Sequence, residues 1–154
     1  MQTFLPLPDY EESARVLDYR RLGKQRVECK QILNALTGES KGWVNHPATK
    51  MWRGHEYHLI LYALYICEEW CSRGYSDTLN AWFRDKLKVA RSFCDLEKGA
   101  LAPPWLGQKD FHASHRSNLL RKDPDWYGQF NWPESDDMPY VWPTPTGSVV
   151  AVVS

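Results

Sequence analysis

The chain has 154 residues, 43% of them hydrophobic, with 19 basic side chains against 19 acidic ones and a net charge of zero. That length fits one domain with its own core. The charge balance excludes a protein that coats nucleic acid non-specifically, but leaves room for a nucleic-acid enzyme, since only the binding face has to be positive.

The longest apolar run, Leu59 to Cys67, is about half of the roughly 18 residues needed to cross a bilayer, so no membrane span is expected. Residues Met1 to Pro8 hold two prolines and no basic side chain, unlike a secretory leader. Cys29, Cys67, Cys71 and Cys94 fall inside expected helices and not at framework spacings. They are expected as reduced thiols in a cytoplasmic protein.

In chain order, Asp9 with Glu12 three residues later reads as a capping box, opening a helix that runs to Leu36 and stops at Thr37-Gly38. Gly23 in its middle costs about 1 kcal/mol relative to Ala, which points to a kink or a close approach. After a loop from Lys41 to Pro47, a second helix extends to about Arg73 and ends at Gly74. Its central run is apolar on all sides, which suits a buried helix. Asp77 caps a third helix, whose stripe is Leu79, Trp82, Phe83, Leu87, Ala90, Phe93 and Cys94. Residues Ala102 to Gly107 form a rigid turn. Asp110 opens a short fourth helix through Leu120, stopped before Pro124. The proline- and acid-rich stretch Pro133 to Pro145, with acids between Glu134 and Asp137, is expected to wrap the surface, and residues 146–154 to form a disordered tail. The class is mainly α, with one compact helical domain over residues 1–145.

The densest chemistry lies between Asp18 and Glu28, where Arg20, Arg21, Lys24 and Arg26 accompany a carboxylate in eleven residues. At about 100° per residue, Arg21, Lys24, Glu28 and Gln31 share one stripe. One reading is a solvated face with a Lys24–Glu28 surface pair, contributing about 0.3–0.5 kcal/mol. The other is a phosphate clamp by Arg20, Arg21 and Arg26, with Lys24 as an amine nucleophile whose pKa its cationic neighbours lower, and Glu28 as general base or as stabiliser of a cationic sugar intermediate.

Two H-x-x-H pairs, His55/His58 and His112/His115, raise the rival of a metal-dependent hydrolase with Glu56 as ligand or base. Packing with satisfied nitrogens is the plainer reading of His55 and His58. His112 and His115 stand beside Arg116, which favours contact with phosphate or a polar pocket. Trp43, Asn45-His46-Pro47, Trp52-Arg53-Gly54 and Pro103-Pro104-Trp105 read as structural corners, although Trp52 with His46 is the candidate pocket for an extrahelical base. Walker, G-x-G-x-x-G, G-x-S-x-G and C-x-x-C motifs are absent, which removes nucleotide hydrolases, Rossmann enzymes and zinc ribbons from support.

Three blocks together resemble the pyrimidine dimer DNA glycosylase family of the endonuclease V type. Tyr19-Arg20-Arg21-Leu22 followed by Arg26-Val27 resembles its Y-R-E-L…R-V helix. Glu69 through Arg73-Gly74-Tyr75 is similar to its second helix end, and His112-Ala113-Ser114 with Pro124 and Trp126-Tyr127 to its H-x-A-S…P-x-W-Y block. A bacterial branch of that family is closer still, in Arg21 to Glu28, Asn45-His46-Pro47, Trp52-Arg53-Gly54, Pro103 to Gly107 and His112 to Pro124. The resemblance covers about residues 1–142.

It implies a compact all-α fold with the N-terminus threaded between helices, acting on duplex DNA that carries a lesion or modified base, as a monomer without cofactor or metal. It also implies a glycosylase/AP lyase: an N-terminal amine attacks C1′ and forms an imine, the base leaves, and β-elimination cuts the backbone. An α-amine suits this, with an unperturbed pKa near 8. Two positions depart from the family pattern. The family nucleophile is a threonine exposed by loss of Met, whereas Gln2 stands here and threonine first occurs at Thr3. The family's catalytic glutamate aligns with Arg21. The expected catalytic set is therefore Met1, Lys24, Glu28 and Arg21, and the expected DNA contacts are Arg20, Arg21, Arg26, Arg53, His112, His115 and Arg116. A non-catalytic nucleic-acid-binding module of the same fold is the remaining alternative.

Overall fold

The computed structural model describes residues 1–93, 102–143 and 149–151. Seven α-helices account for most of them: α1 (Tyr10–Val16), α2 (Tyr19–Leu36), α3 (Pro47–Trp52), α4 (Glu56–Ser72), α5 (Leu79–Phe93), α6 (Lys109–Lys122) and α7 (Pro124–Tyr127), the last continued by a 3-10 turn. Cys94 of the expected α5 stripe lies outside the described residues, as do 144–148 and 152–154 of the expected surface stretch and tail. Residues Val149–Ala151 pair antiparallel with Val141–Pro143, placing Trp142 opposite Val150, a strand element that sequence reading did not anticipate.

Asp9 caps α1 as expected, accepting the Glu12 N–H at 2.9 Å. The single helix expected from Asp9 to Leu36 is, however, two. The chain turns at Leu17 and Asp18, both in extended backbone, and Asp18 becomes the cap of α2. The reason is tertiary. Leu17 is fully buried, and Tyr127 accepts the Asp18 N–H at 3.0 Å while its hydroxyl donates to the Asp18 carboxylate. The second expected helix is likewise split into α3 and α4 at Gly54, whose φ of +84° lets the chain turn without a Cβ clash. Its end at Gly74 (φ +95°) and the Asp77 cap of α5, with the Leu79 and Asn80 N–H groups at 3.1 and 2.7 Å, follow expectation.

The central helix is α4, packed by α1, α2, α3 and α5. Leu59, Tyr62, Ala63, Ile66 and Cys67 are fully buried along one face of it, whereas Leu61 and Leu64 are only partly covered and Tyr65 is exposed, so the all-round burial expected from its sequence is not met. Gly23 of α2 is explained by the close approach of α4: a Cβ there would stand 2.8 Å from two ring carbons of Trp70.

Residues 2–5 run as an extended strap through this helical frame, and all four are buried. A buried strap must place its backbone polar groups on side chains. The Gln2 N–H donates to Glu28 Oε2 (3.2 Å) and the Phe4 N–H to Gln25 Oε1 (3.0 Å). The Phe4 carbonyl accepts from Tyr62 (2.6 Å), and Trp52 donates to Thr3 Oγ1 (2.9 Å). Leu5 is clipped by two histidines: its N–H donates to His115 Nδ1 at 2.8 Å and its carbonyl accepts from His112 Nδ1 at 2.7 Å.

Candidate active site

The strap emerges beside the first turns of α2, and a cleft of about 690 Å³ opens there. Met1, Gln2, Tyr19, Arg20, Arg21, Lys24 and Glu28 line one side; Lys122, Asp123, Trp126 and Tyr140 close the other. Four side-chain cations therefore converge on the opening. Of the carboxylates, Asp18 is buried against Tyr127 and paired with Arg21 (3.2 Å), and Asp123 caps α7 through the Trp126 N–H (3.1 Å). Both are committed to structure, which leaves the opening electropositive. Tyr19 and Trp126, 49% and 37% exposed, present aromatic faces at the rim.

Glu28 is the carboxylate at the floor, 6% exposed. Its Oε2 accepts from the Gln2 backbone N–H and from Gln25 Nε2 (3.1 Å), while its Oε1 lies 3.7 Å from Lys24 Nζ. Gln25 is the hub. Its amide accepts from Phe4 N–H and Tyr62 O–H and donates to the Gln2 carbonyl (2.8 Å) and to Glu28. Every polar capacity of that side chain is used, so its orientation is set and it registers strap and carboxylate against each other. Met1 is thus held one residue from the glutamate, on the cleft wall. The stripe Arg21, Lys24 and Glu28 lies at this site, and Arg20 joins it. Lys24 is 73% exposed.

Lys122 belongs to the site and was missed by sequence reading, since it comes from α6, about a hundred residues from α2. Desolvation holds its ammonium below the ordinary lysine value, and Arg21, Arg121 and Lys24 push the same way. Burial pushes the Tyr140 phenol up to about 12. The one available signal for Lys122 was its place in Arg121-Lys122-Asp123-Pro124, next to the block ending in Trp126-Tyr127.

Several expected contacts lie elsewhere. Arg26 turns inward, stacked on Trp70 and paired with the buried Asp77 at 2.7 Å, so it ties α2 to the start of α5 and cannot grip phosphate from there. Arg116 is engaged by Glu134 and the Pro6 carbonyl. His112 and His115 are buried on the strap. Gly107 N–H donates to His112 Nε2 at 2.8 Å, which leaves His112 Nδ1 as the donor to Leu5 and fixes a neutral ring; burial lowers its pKa. His115 Nδ1 accepts from Leu5, and burial lowers its pKa to about 3. Neither ring reaches the surface to meet DNA.

Trp52 is fully buried and stacked on Tyr62, so it belongs to the core and forms no base pocket. His46 is half-buried and caps α3 through Nδ1 (Ala48 N–H, 3.0 Å). Arg53 is exposed, but its guanidinium bonds the Val44 carbonyl and does not line the cleft. The metal rival loses its ligands to this bonding: His58 meets the Tyr10 hydroxyl at 2.9 Å, and His112 and His115 hold the strap. Among the described residues no group of three His, Cys, Asp or Glu is placed to hold a metal ion, and no helix is long and apolar enough to cross a membrane.

No curated protein and no solved structure matches the chain. A family model described as pyrimidine dimer DNA glycosylase matches residues 1–82, just over half of the chain and the part that carries the strap, α2 and the buried glutamate. The strap, cationic cleft and helical frame are thus those of a chain that belongs to the pyrimidine dimer DNA glycosylase family.

Proposed function

We propose that the protein excises a damaged or modified pyrimidine from duplex DNA and cleaves the resulting abasic site through an imine, with the cleft at the strap as its active site. One observation carries this reading: Glu28, buried at the cleft floor, accepts the Gln2 backbone N–H at 3.2 Å and so stands one residue from the amine of Met1. The amine lone pair attacks C1′, and the C1′–N bond to the base breaks with its electrons leaving on the base. The C1′–O4′ bond then breaks, O4′ taking its electrons and a proton from the nitrogen, and the opened sugar carries a protonated C1′ imine that acidifies C2′. Glu28 accepts the C2′ proton, the C3′–O bond breaks toward the phosphate, and water hydrolyses the imine to free the amine. Arg20, Arg21, Lys24 and Lys122 hold the phosphates on either side.

The 3.7 Å approach of Lys24 Nζ to Glu28 Oε1 favours one second reading, in which Lys24 supplies the amine. Protein with its N-terminus established by mass is incubated with a cyclobutane-dimer or abasic duplex and borohydride, and the adduct is mapped. The proposal expects an adduct at Met1, retained in Lys24→Ala. An adduct at Lys24 transfers the role to that residue. Glu28→Gln is expected to slow strand cleavage by about 10²–10⁴-fold with the fold intact. Duplex binding without adduct or cleavage on any substrate would leave a binding module of the same fold.

A further inference from the structure

Trp43 belongs neither to the core nor to the lining of the cleft. Trp43 sits in the loop between α2 and α3, 50% exposed, with a backbone φ of +65°. Only Asn131 shares a positive φ among the described non-glycine residues, and asparagine tolerates that region where a bulky side chain does not. An unfavourable backbone that holds a tryptophan in solvent does not serve packing. Outliers of this kind gather where a surface meets a ligand.

The loop's position supplies the ligand. The Trp43 ring rests edge-to-face on His46 at 5.6 Å; His46 in turn meets Trp142, and Trp142 meets Tyr140 of the cleft wall. His46 also feels the Met1 α-amine, which adds to desolvation in lowering its pKa. Trp43 therefore flanks the Met1 end of the cleft. The surroundings are cationic: Lys41, Lys50 and Arg53 are all exposed, against Glu39 as the one acid between Thr37 and His55. Arg53 bonds the Val44 carbonyl at 3.3 Å and His46 N–H bonds the Trp43 carbonyl at 3.1 Å, so the loop has a defined shape.

We infer that Trp43 is a base-stacking wedge, entering the duplex beside the cleft and covering the face of a base unstacked when the lesion enters it, while Lys41, Lys50 and Arg53 carry the flanking phosphates. This rests on the DNA reading above. An aromatic ring held rigidly over a cationic surface is the arrangement that stacks on bases irrespective of sequence.

The test compares Trp43→Gly and Trp43→Phe with the unaltered chain, in affinity for an abasic duplex carrying 2-aminopurine opposite the site, and in melting temperature. Glycine relieves the left-handed backbone and offsets the packing lost on His46, so its melting temperature is expected within about 3 °C of the parent's. Affinity is expected to fall about tenfold with the aminopurine signal lost, and phenylalanine to restore both. Unchanged affinity in Trp43→Gly overturns the wedge. So does a lost affinity that phenylalanine fails to rescue, or one that accompanies a large fall in melting temperature. If the unaltered chain does not bind the duplex, the DNA reading itself fails and the wedge with it; if it binds and Trp43→Gly binds equally, only the wedge fails.

Discussion

His115→Asn tests how the strap is held. The asparagine Oδ1 can take the place of Nδ1 as acceptor for Leu5 N–H, but it does not titrate. In the folded chain His115 is neutral, with a pKa of about 3, because the ring is fully buried and His112 and Arg116 add their fields. In the unfolded chain its pKa is about 6.5. The folded value is the lower, so the contribution to stability is complete above about pH 6.5 and is lost as pH falls toward about 3, since only the unfolded chain takes the proton. Linkage with those two values gives a loss of about 2 kcal/mol between about pH 7 and about pH 5. The variant forfeits ring contacts with Phe4, Phe111 and Tyr140, a cost of about 2–3 kcal/mol that does not depend on pH. Urea unfolding of both proteins, followed by circular dichroism across this range, should therefore show the gap between them closing by about 2 kcal/mol as pH falls. Parallel stability curves would refute a neutral His115 clamp.

Three further outcomes follow from named contacts. Gly23→Ala should lower the melting temperature, because the clash with Trp70 costs about 1–3 kcal/mol and exceeds the roughly 1 kcal/mol gained in helix propensity; a stabilised variant would show that α2 and α4 are not in such close contact. Arg26→Met should destabilise by about 1.5–3 kcal/mol, since Asp77 loses its cationic partner and keeps the Leu79 and Asn80 N–H groups, while DNA affinity measured well below the melting temperature stays unchanged; weaker binding by the folded variant would return Arg26 to the interface. Lys122→Ala should reduce the slope of log affinity against log salt by about one, and an unaltered slope in fluorescence anisotropy titrations would remove Lys122 from the phosphate contacts.

The helical class was readable because its signals are local. Asp9, Asp77, Gly38 and Gly74 act on the backbone within a few residues, and the apolar run of α4 marks the helix that the others pack against, although one side of it stays open at Tyr65 and Glu68. The two breaks that sequence reading overlooked differ in kind. Gly54 is a local signal set inside a longer helical pattern. Asp18 is a good capping residue, but its cap is enforced by Tyr127, 109 positions away, and periodicity alone cannot see that bond. Register with distant chain also explains the strap: Gln2 to Leu5 carries no local signal of burial, the resemblance alone implied a threaded N-terminus, and side-chain partners on α2, α3, α4 and α6 make it structural.

The same distinction separates the site residues that were legible from those that were not. Helical geometry alone places Arg26 about 200° from Lys24 around α2, so a cluster dense in sequence has to divide between two faces. Arg20, Arg21 and Lys24 stay on the cleft, and Arg26 goes inward to Asp77. Side-chain type misled for the histidines and for Trp52, since an imidazole beside an arginine suggests phosphate until burial is known, and a tryptophan beside an arginine suggests a pocket. Burial reverses both assignments, whereas Trp43, Tyr19 and Trp126 keep their rings exposed. Glu28 is the instructive case. Spacing offered it as half of a surface pair with Lys24, and that pair exists at 3.7 Å. Yet a carboxylate 6% exposed, bonded to Gln25 and to the backbone of residue 2, is costly to keep unless something uses it. A leucine would fill such a floor at less expense in desolvation. Its retention beneath a cationic opening, one residue from Met1, is the physical reason to seek the chemistry there and not along the exposed face of the helix.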